Sequence, residues 1–303
     1  GTKRAENIIQ RKQLRRQPHP KRFVKMMREE STSQPFILCD GELLPADSRV
    51  LPVSDNTVAF GAGVFETIAA YHGKLFAFDA HLNRLRGGMD CFGISLSLPG
   101  NLEQQARNLL DQNQLSEASP ARMRITVTAG SKTDPSHWIM EATSAPSHTA
   151  TAGLITGPFV RNEQSPLSGF KAINYGDNVI AMQRARAAGM TEALFSNTQG
   201  NICEGTWSNS FFYHEGKWKT PPVSSGCLPG VTRATVLDLA KGINLEIEEA
   251  NLPLTRIDEI ESAFLTSAMR GVQPVKAIDN YDLSVTRSEI FALAKAYLEL
   301  AVG

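Results

Sequence analysis

Cysteine is scarce in this 303-residue chain: Cys39, Cys91, Cys203 and Cys227 are scattered, with no CxxC pair and no metal-ligand spacing with the six histidines. That argues against a disulfide framework and a zinc site, so no metal ligand is assigned and a reducing compartment is expected. A surplus of charge is missing too, because 31 basic residues offset 31 acidic ones. Without a global field, neither nucleic acid nor a membrane surface is an expected partner. No apolar run approaches the length of a bilayer span, and the N-terminus lacks the apolar core of a secretory signal. The expectation is a soluble protein of the cytoplasm.

What is present is a chain long enough for two domains, with 42% hydrophobic and 20% charged residues. The opening "GTKRAENIIQRKQLRRQPHPKRFVKMMREE" is crowded with Lys and Arg around a Pro-His-Pro break, and reads as an arm over residues 1–34 outside any core. It is expected to be a disordered extension, or sequence ahead of a start at Met26 or Met27. A contact with nucleic acid or an acidic partner, and an organelle transit peptide, are the other readings of such a basic segment. Ser, Thr, Pro and Gly gather between "MEATSAPSHTATAGLITG" and "PFVRNEQSPLSG", so a small α/β domain is expected over 35–155 and a larger one over 156–303.

Turn signals and periodicity outline the elements. Apolar runs flank Asp40-Gly41 and His72-Gly73, as in hairpins. Leu82, Leu85 and Met89 fall at helical spacing behind Asp79, a plausible cap, and "ARMRITVTAG" alternates like a strand. "DNVIAMQRARAAG" reads as a helix stopped at Gly189, followed by strands joined at Gln199-Gly200-Asn201 and Glu215-Gly216. "LPGVTRATVLDLAKG" joins a Pro-Gly turn to a helix, whose free N–H groups suit a phosphate. A helix, a strand, a turn and a terminal helix complete the C-terminal part.

Lys171 follows Phe170 in a strand-like segment. An ammonium half-buried among apolar groups loses hydration, which favours the neutral amine and hence Schiff-base chemistry. Taken singly, such a lysine is ordinarily a surface residue whose stem covers its neighbour. Glu204 before a glycine is ordinarily a turn residue, and Arg84 on a helix is ordinarily solvated. The combination is more specific: pyridoxal phosphate needs an amine, an acid against its ring nitrogen and a cationic or N–H-lined phosphate pocket. Lys171, Glu204 and the Pro229-Gly230-Val231-Thr232 turn are of those kinds.

The segments "DGEL", "FGAGVFETI", "HLNRL", "KAINY", "GNICEGTWSNSFF", "TPPVSSGCLPGVTR" and "FLTSAMRGVQPV" occur in this order from about residue 36 onward. In them the chain resembles the class IV aminotransferases, the fold-type IV pyridoxal phosphate enzymes. That family includes branched-chain and D-amino-acid aminotransferases and 4-amino-4-deoxychorismate lyase. The resemblance implies a two-domain α/β (α+β) fold with the cofactor, pyridoxal 5′-phosphate, at the domain interface. Lys171 would carry it as a Schiff base and shuttle the substrate Cα proton, while Glu204 faces the pyridine nitrogen. Arg84, Val231, Thr232, Ser267 and Ala268 would bind the phosphate. A homodimer acting on a small amino substrate is implied as well.

Departures within the family bear on the reaction. Thr128-Ala129-Gly130 lacks the arginine that D-amino-acid aminotransferases carry in a Thr-Arg-Gly stretch. Branched-chain enzymes place one more residue between the lysine and Asn-Tyr, and a threonine where Ala268 falls, yet share an arginine at Arg124. The lyase subgroup shares the shorter spacing and a small residue before an aliphatic one, as in Ser267-Ala268-Met269, but "SKTDPSHW" differs from its glycine- and arginine-rich loop. The expectation is therefore a lyase converting aminodeoxychorismate to 4-aminobenzoate and pyruvate. Arg124, Arg270 and Phe65 are its candidate substrate contacts. A class IV transaminase for branched-chain or other amino acids with 2-oxoglutarate is the alternative. A silent homologue binding a partner through the basic arm is the second alternative.

Overall fold

The computed structural model describes residues 36–303, so the readings of the basic arm lie outside the described residues. The first sheet has six strands in the order β2-β1-β6-β5-β3-β4. They are β1 (Phe36–Cys39), β2 (Glu42–Pro45), β3 (Gly63–Tyr71), β4 (Lys74–Leu75), β5 (Ala121–Thr128) and β6 (Trp138–Ser144). Both expected hairpin turns form, with positive φ at Asp40-Gly41 and His72-Gly73, the geometry a two-residue turn requires. A short helix α1 (Asn56–Phe60) precedes β3, and α2 (Phe78–Phe92) and α3 (Leu102–Gln112) cover one face of the sheet.

Because side chains alternate along a strand, this sheet has two unlike faces. Val64, Ile68, Met123, Ile125 and Met140 form one core with Leu85 and Met89 of α2 and Leu102 and Leu109 of α3. The opposite face carries Phe65, Thr67, Arg122, Arg124 and Thr143, brought side by side by the antiparallel register Thr67↔Arg124 and Arg122↔Thr143. The expected cap of α2 is different in the structure. Ala77, at φ 51°, starts the helix without a side-chain cap. Asp79 lies within the first turn, where its carboxylate opposes the helix dipole instead.

The second sheet follows the order β10-β9-β7-β15-β14-β11-β12-β13, with β8 beside β9 and β16 beside β15. Its strands are β7 (Ala152–Ile155), β8 (Val160–Arg161), β9 (Glu192–Asn197), β10 (Ile202–Gly205), β11 (Asn209–His214), β12 (Lys217–Thr220), β13 (Ile247–Glu249), β14 (Ser262–Ser267), β15 (Gly271–Ile278) and β16 (Tyr281–Asp282). Helix α4 (Gly176–Ala187) packs Ala181 and Ala185 with Phe159 and Phe195. Helices α5 (Val231–Gly242) and α6 (Ser288–Val302) pack Val236, Ile290, Leu293 and Tyr297 with Phe211 and Phe264. Ala69 and Tyr71 of β3 join this cluster, so the two units share apolar contact.

Two further expectations change. Strand β7 hydrogen-bonds to β15 and β9, so the change of sheet falls between Ser144 and Ala152, ahead of the division expected at 155/156. The first helix expected in the C-terminal part is a six-residue 3₁₀ stretch, Leu254–Glu259, confined between Pro253 and an extended Ile260. That interval is too short for a stable α-helix.

Candidate functional site

Where the polar face of the first sheet meets the second unit, a cavity of about 650 Å³ opens, and every site residue singled out from the sequence lines it. Lys171 reaches it on a short extended segment that pairs with β3. Phe65 N–H donates to the Lys171 carbonyl at 3.0 Å, and Ile173 N–H donates to the Gly63 carbonyl at 2.9 Å. Gly63 makes this approach possible, since at φ 144° an added Cβ would stand 2.7 Å from the Val127 carbonyl oxygen and 2.8 Å from Ile173 Cδ1. Lys171 Nζ lies 4.5 Å from the Phe65 ring centroid and 3.4 Å from the Tyr175 hydroxyl. The Lys171 side chain is therefore half-buried against an aromatic wall.

Glu204 stands on another wall, 8% exposed, at the end of β10. Its carboxylate accepts from Arg161 Nε at 3.0 Å and from Leu228 N–H at 2.9 Å. Arg161 also donates to Asn178 Oδ1 and stacks on Phe195. Burial works against the Arg161 charge, but Glu204 outweighs it and raises the guanidinium above its ordinary value. The neighbouring thiols stay protonated at neutral pH. Burial and the Glu204 charge push Cys227 up to about 11, and burial raises Cys203 further.

A third wall gathers donors for an anion. Helix α5 begins after Gly230 with no side-chain cap, leaving the amides of its first turn open. Gly230 also lets the backbone pass against Asn209, whose side-chain oxygen an added Cβ would strike. Buried Thr232, half-buried Ser267 and Ala268, and the Thr266 hydroxyl, which has no partner among the described residues, complete this end. Arg84 approaches from α2 and donates to the Pro229 carbonyl at 3.0 Å.

Arg84 is held by a group that the sequence reading did not single out. Glu66, fully buried on β3, accepts from Arg84 Nε at 2.6 Å and Nη2 at 2.7 Å, and pairs with His81 at 2.7 Å. Burial would raise the Glu66 carboxyl, yet the hydrogen bonds from Arg84 and His81 hold it down to about 2. His81 itself is pushed below its ordinary value by burial, against the pull of Glu66.

The two candidate substrate arginines differ. Arg270 places Nη2 2.6 Å from Glu192 and donates through Nη1 to Gln273, so protein groups engage both terminal nitrogens. Glu192 also accepts from Thr206, Trp207 and Ser208, bracing the loop after Glu204. Arg124 stacks 3.8 Å from the Phe65 centroid, and its Nε reaches Thr126 and, at 3.7 Å, Glu141. Glu141 is partly exposed, so this pair is looser than that of Arg270 with buried Glu192. Glu66 was legible inside "FETI" and Arg122 two positions before Arg124, but the side of the sheet each occupies was not.

This geometry defines a two-domain α+β enzyme with an amine, a carboxylate and an anion cup around one interfacial cavity. The sequence matches the amino-transferase class IV family over residues 63–278, most of its length, and the chain belongs to that family. It is a pyridoxal phosphate-dependent enzyme. It is 30% identical over 259 residues to the D-alanine aminotransferase of Bacillus licheniformis, covering 80% of this chain and 88% of that one. It is 26% identical over 283 residues to the branched-chain-amino-acid aminotransferase of Pseudomonas aeruginosa, covering 87% and 92%. A solved 4-amino-4-deoxychorismate lyase candidate from Legionella pneumophila shares the fold at TM-score 0.76 and 24% identity, covering 84% and 97%.

Proposed function

We propose that the chain is an amino-acid transaminase taking branched-chain or other amino acids with 2-oxoglutarate. The observation that carries this is that Lys171 and Glu204 stand on separate walls of one cavity whose third wall is an anion cup. The donor set fits pyridoxal 5′-phosphate: open amides at a helix start, a guanidinium and an unpaired buried hydroxyl suit the phosphate. A carboxylate fixed by two donors suits the ring nitrogen. Arg84, Val231, Thr232, Ser267 and Ala268 would hold the phosphate, Glu204 the ring nitrogen, and Lys171 the aldehyde carbon.

When bound, this group supplies an electron sink for the charge left as the substrate Cα loses its proton. Lys171 Nζ is the base that takes this proton and keeps it for return. The Tyr175 hydroxyl and the Phe65 ring restrict where that amine sits. Arg124 is the candidate for the substrate carboxylate, because its ion pair with Glu141 is long, at 3.7 Å, whereas Arg270 sits 2.6 Å from buried Glu192. Sequence relatives that cover most of this chain and carry aminotransferase names support the transaminase reading.

Aminodeoxychorismate lyase is the second reading, supported by the short step from Lys171 to Asn174 and by Ser267-Ala268-Met269. Both reactions begin with the same proton transfer to Lys171, so products decide between them. Purified holoenzyme incubated with leucine and 2-oxoglutarate is expected to form glutamate. Pyruvate release from aminodeoxychorismate with no glutamate from any amino donor would exchange the two readings.

A further inference from the structure

Cysteine, histidine and acidic residues that are far apart in sequence meet at the tip of the β1–β2 hairpin. There the Cys39 sulfur, an Asp40 carboxylate oxygen and a His137 ring nitrogen lie within 4.8 Å of one another. Cys39 ends β1 and Asp40 opens its turn, while His137 immediately precedes β6, which pairs with β1 through Cys39↔Ile139. Strand register thus assembles the group, which is why spacing along the chain showed no ligand pattern. None of the three residues lines the catalytic cavity.

The groups around this cluster are placed as those of a metal centre are. His137 Nδ1 meets Asp40 Oδ2 at 2.5 Å, and Nε2 faces Asp134 Oδ2 at 3.6 Å. That Asp134 oxygen is buried and has no hydrogen-bond partner among the described residues. Asp40 Oδ1 accepts from the Trp138 N–H at 2.9 Å, which fixes the carboxylate. A metal-bound imidazole donates its other N–H to a carboxylate, and ligating carboxylates are themselves hydrogen-bonded. With Nε2–H turned to Asp134, Nδ1 is left for an ion shared with Asp40 and Cys39. Neither Asp40 nor Asp134 pairs with a lysine or arginine among the described residues, so no side-chain cation competes. The cluster of His214, Glu215 and Glu259 differs in this respect, since Arg256 and Lys219 already engage its carboxylates.

We propose that Cys39, Asp40 and His137 form a binding site for a divalent transition metal, zinc before others, with Asp134 orienting the histidine. A thiolate, an imidazole and a carboxylate are donors that zinc takes, and three protein ligands leave the fourth tetrahedral position to water. Ligand atoms around one zinc ion lie about 3–4 Å apart, so small rotations of these side chains close the cluster. The Cys39 thiol proton passes to solvent as the metal–sulfur bond forms. The ion ties the loop of Asp134 and His137 to the hairpin, two segments that otherwise meet through the Asp40 contacts to His137 and Trp138.

The test is titration of untagged, cofactor-loaded and chelator-treated enzyme with cobalt(II) and zinc(II) salts. Cobalt(II) is expected to give the intense ligand-field absorbance of a tetrahedral thiolate site, at longer wavelength than the cofactor, and zinc(II) to abolish it by displacement. Cys39→Ser and His137→Gln are each expected to weaken zinc binding by about a hundred-fold or more, and Asp134→Asn by about ten-fold. Absence of the cobalt absorbance in wild type, or zinc affinity unchanged in Cys39→Ser or in His137→Gln, would overturn the proposal. The cobalt spectrum is read on wild type, so it decides the matter even where a variant fails to fold. No turnover is measured, so this outcome is independent of the transamination assay.

Discussion

At the scale of single residues, reactivity here is a matter of which side chains are left unpaired. Lys171 has one hydroxyl neighbour and an aromatic wall, whereas Arg84 and Arg270 are tied to buried acids. Lys171→Ala is expected to lower turnover by about a thousand-fold or more. Borohydride reduction followed by peptide mapping should find the pyridoxyl tag on Lys171 in wild type and on no residue of the variant. Glu66 fixes the Arg84 fork, and under the proposed phosphate role of Arg84 it would act one step back from the cofactor, as outer partners do for ligands of bound groups. Glu66→Gln is expected to weaken pyridoxal phosphate binding by about ten-fold or more, measured by fluorescence titration of the apoenzyme. An unchanged dissociation constant would show that Arg84 holds its orientation without that carboxylate.

At the scale of elements, the active segment depends on close backbone approach. The two hydrogen bonds joining the Lys171 segment to the start of β3 exist because Gly63 has no Cβ. Gly63→Ala is expected to strain this junction by about 1–3 kcal/mol and displace the lysine, giving a lower melting temperature together with a lower rate of cofactor attachment. The glycine could be read from "FGAGVFE" as a turn residue, but its partner strand is more than a hundred residues away in sequence. Helix α3 was legible and went unread, since Leu102, Ala106, Leu109 and Leu110 follow helical spacing. Strand β6 was harder, because it is buried at five of its seven positions and merges into a Ser- and Thr-rich stretch. The 3₁₀ stretch at 254–259 has helical composition but ends at an extended Ile260, too soon after Pro253 for a stable α-helix.

At the scale of the whole molecule, Arg84 links the two units, bonded to Glu66 on one side and to the Pro229 carbonyl on the other. Ligand binding at such a junction stabilises both. Pyridoxal phosphate at a hundred times its dissociation constant is expected to add about 2.7 kcal/mol, visible as a concentration-dependent rise in melting temperature. Acid should act through the same link. The Glu66 carboxyl titrates near 2 when folded against an ordinary 4.5. Its contribution, on the order of 3 kcal/mol, is therefore complete above about pH 5 and is lost as pH falls toward 2. Urea unfolding of wild type and Glu66→Gln between pH 3 and 7 should show curves that converge at the acid end. The family reading also implies a homodimer, for which sedimentation equilibrium would report twice the chain mass of 33.1 kDa.

Local order and the kinds of chemistry available were readable along the chain: hairpin turns, the α5 start and the ordered motifs each depend on residues close together in sequence. Lys171 and Glu204 could be singled out because their motifs are contiguous, and the structure places both on one cavity. The allocation of arginines was not readable in this way. Whether Arg84, Arg122, Arg124 or Arg270 meets an acid depends on strand register and on which sheet face each side chain occupies. Those are set by pairing across long loops, and electrostatics follows distance in space, not spacing in sequence.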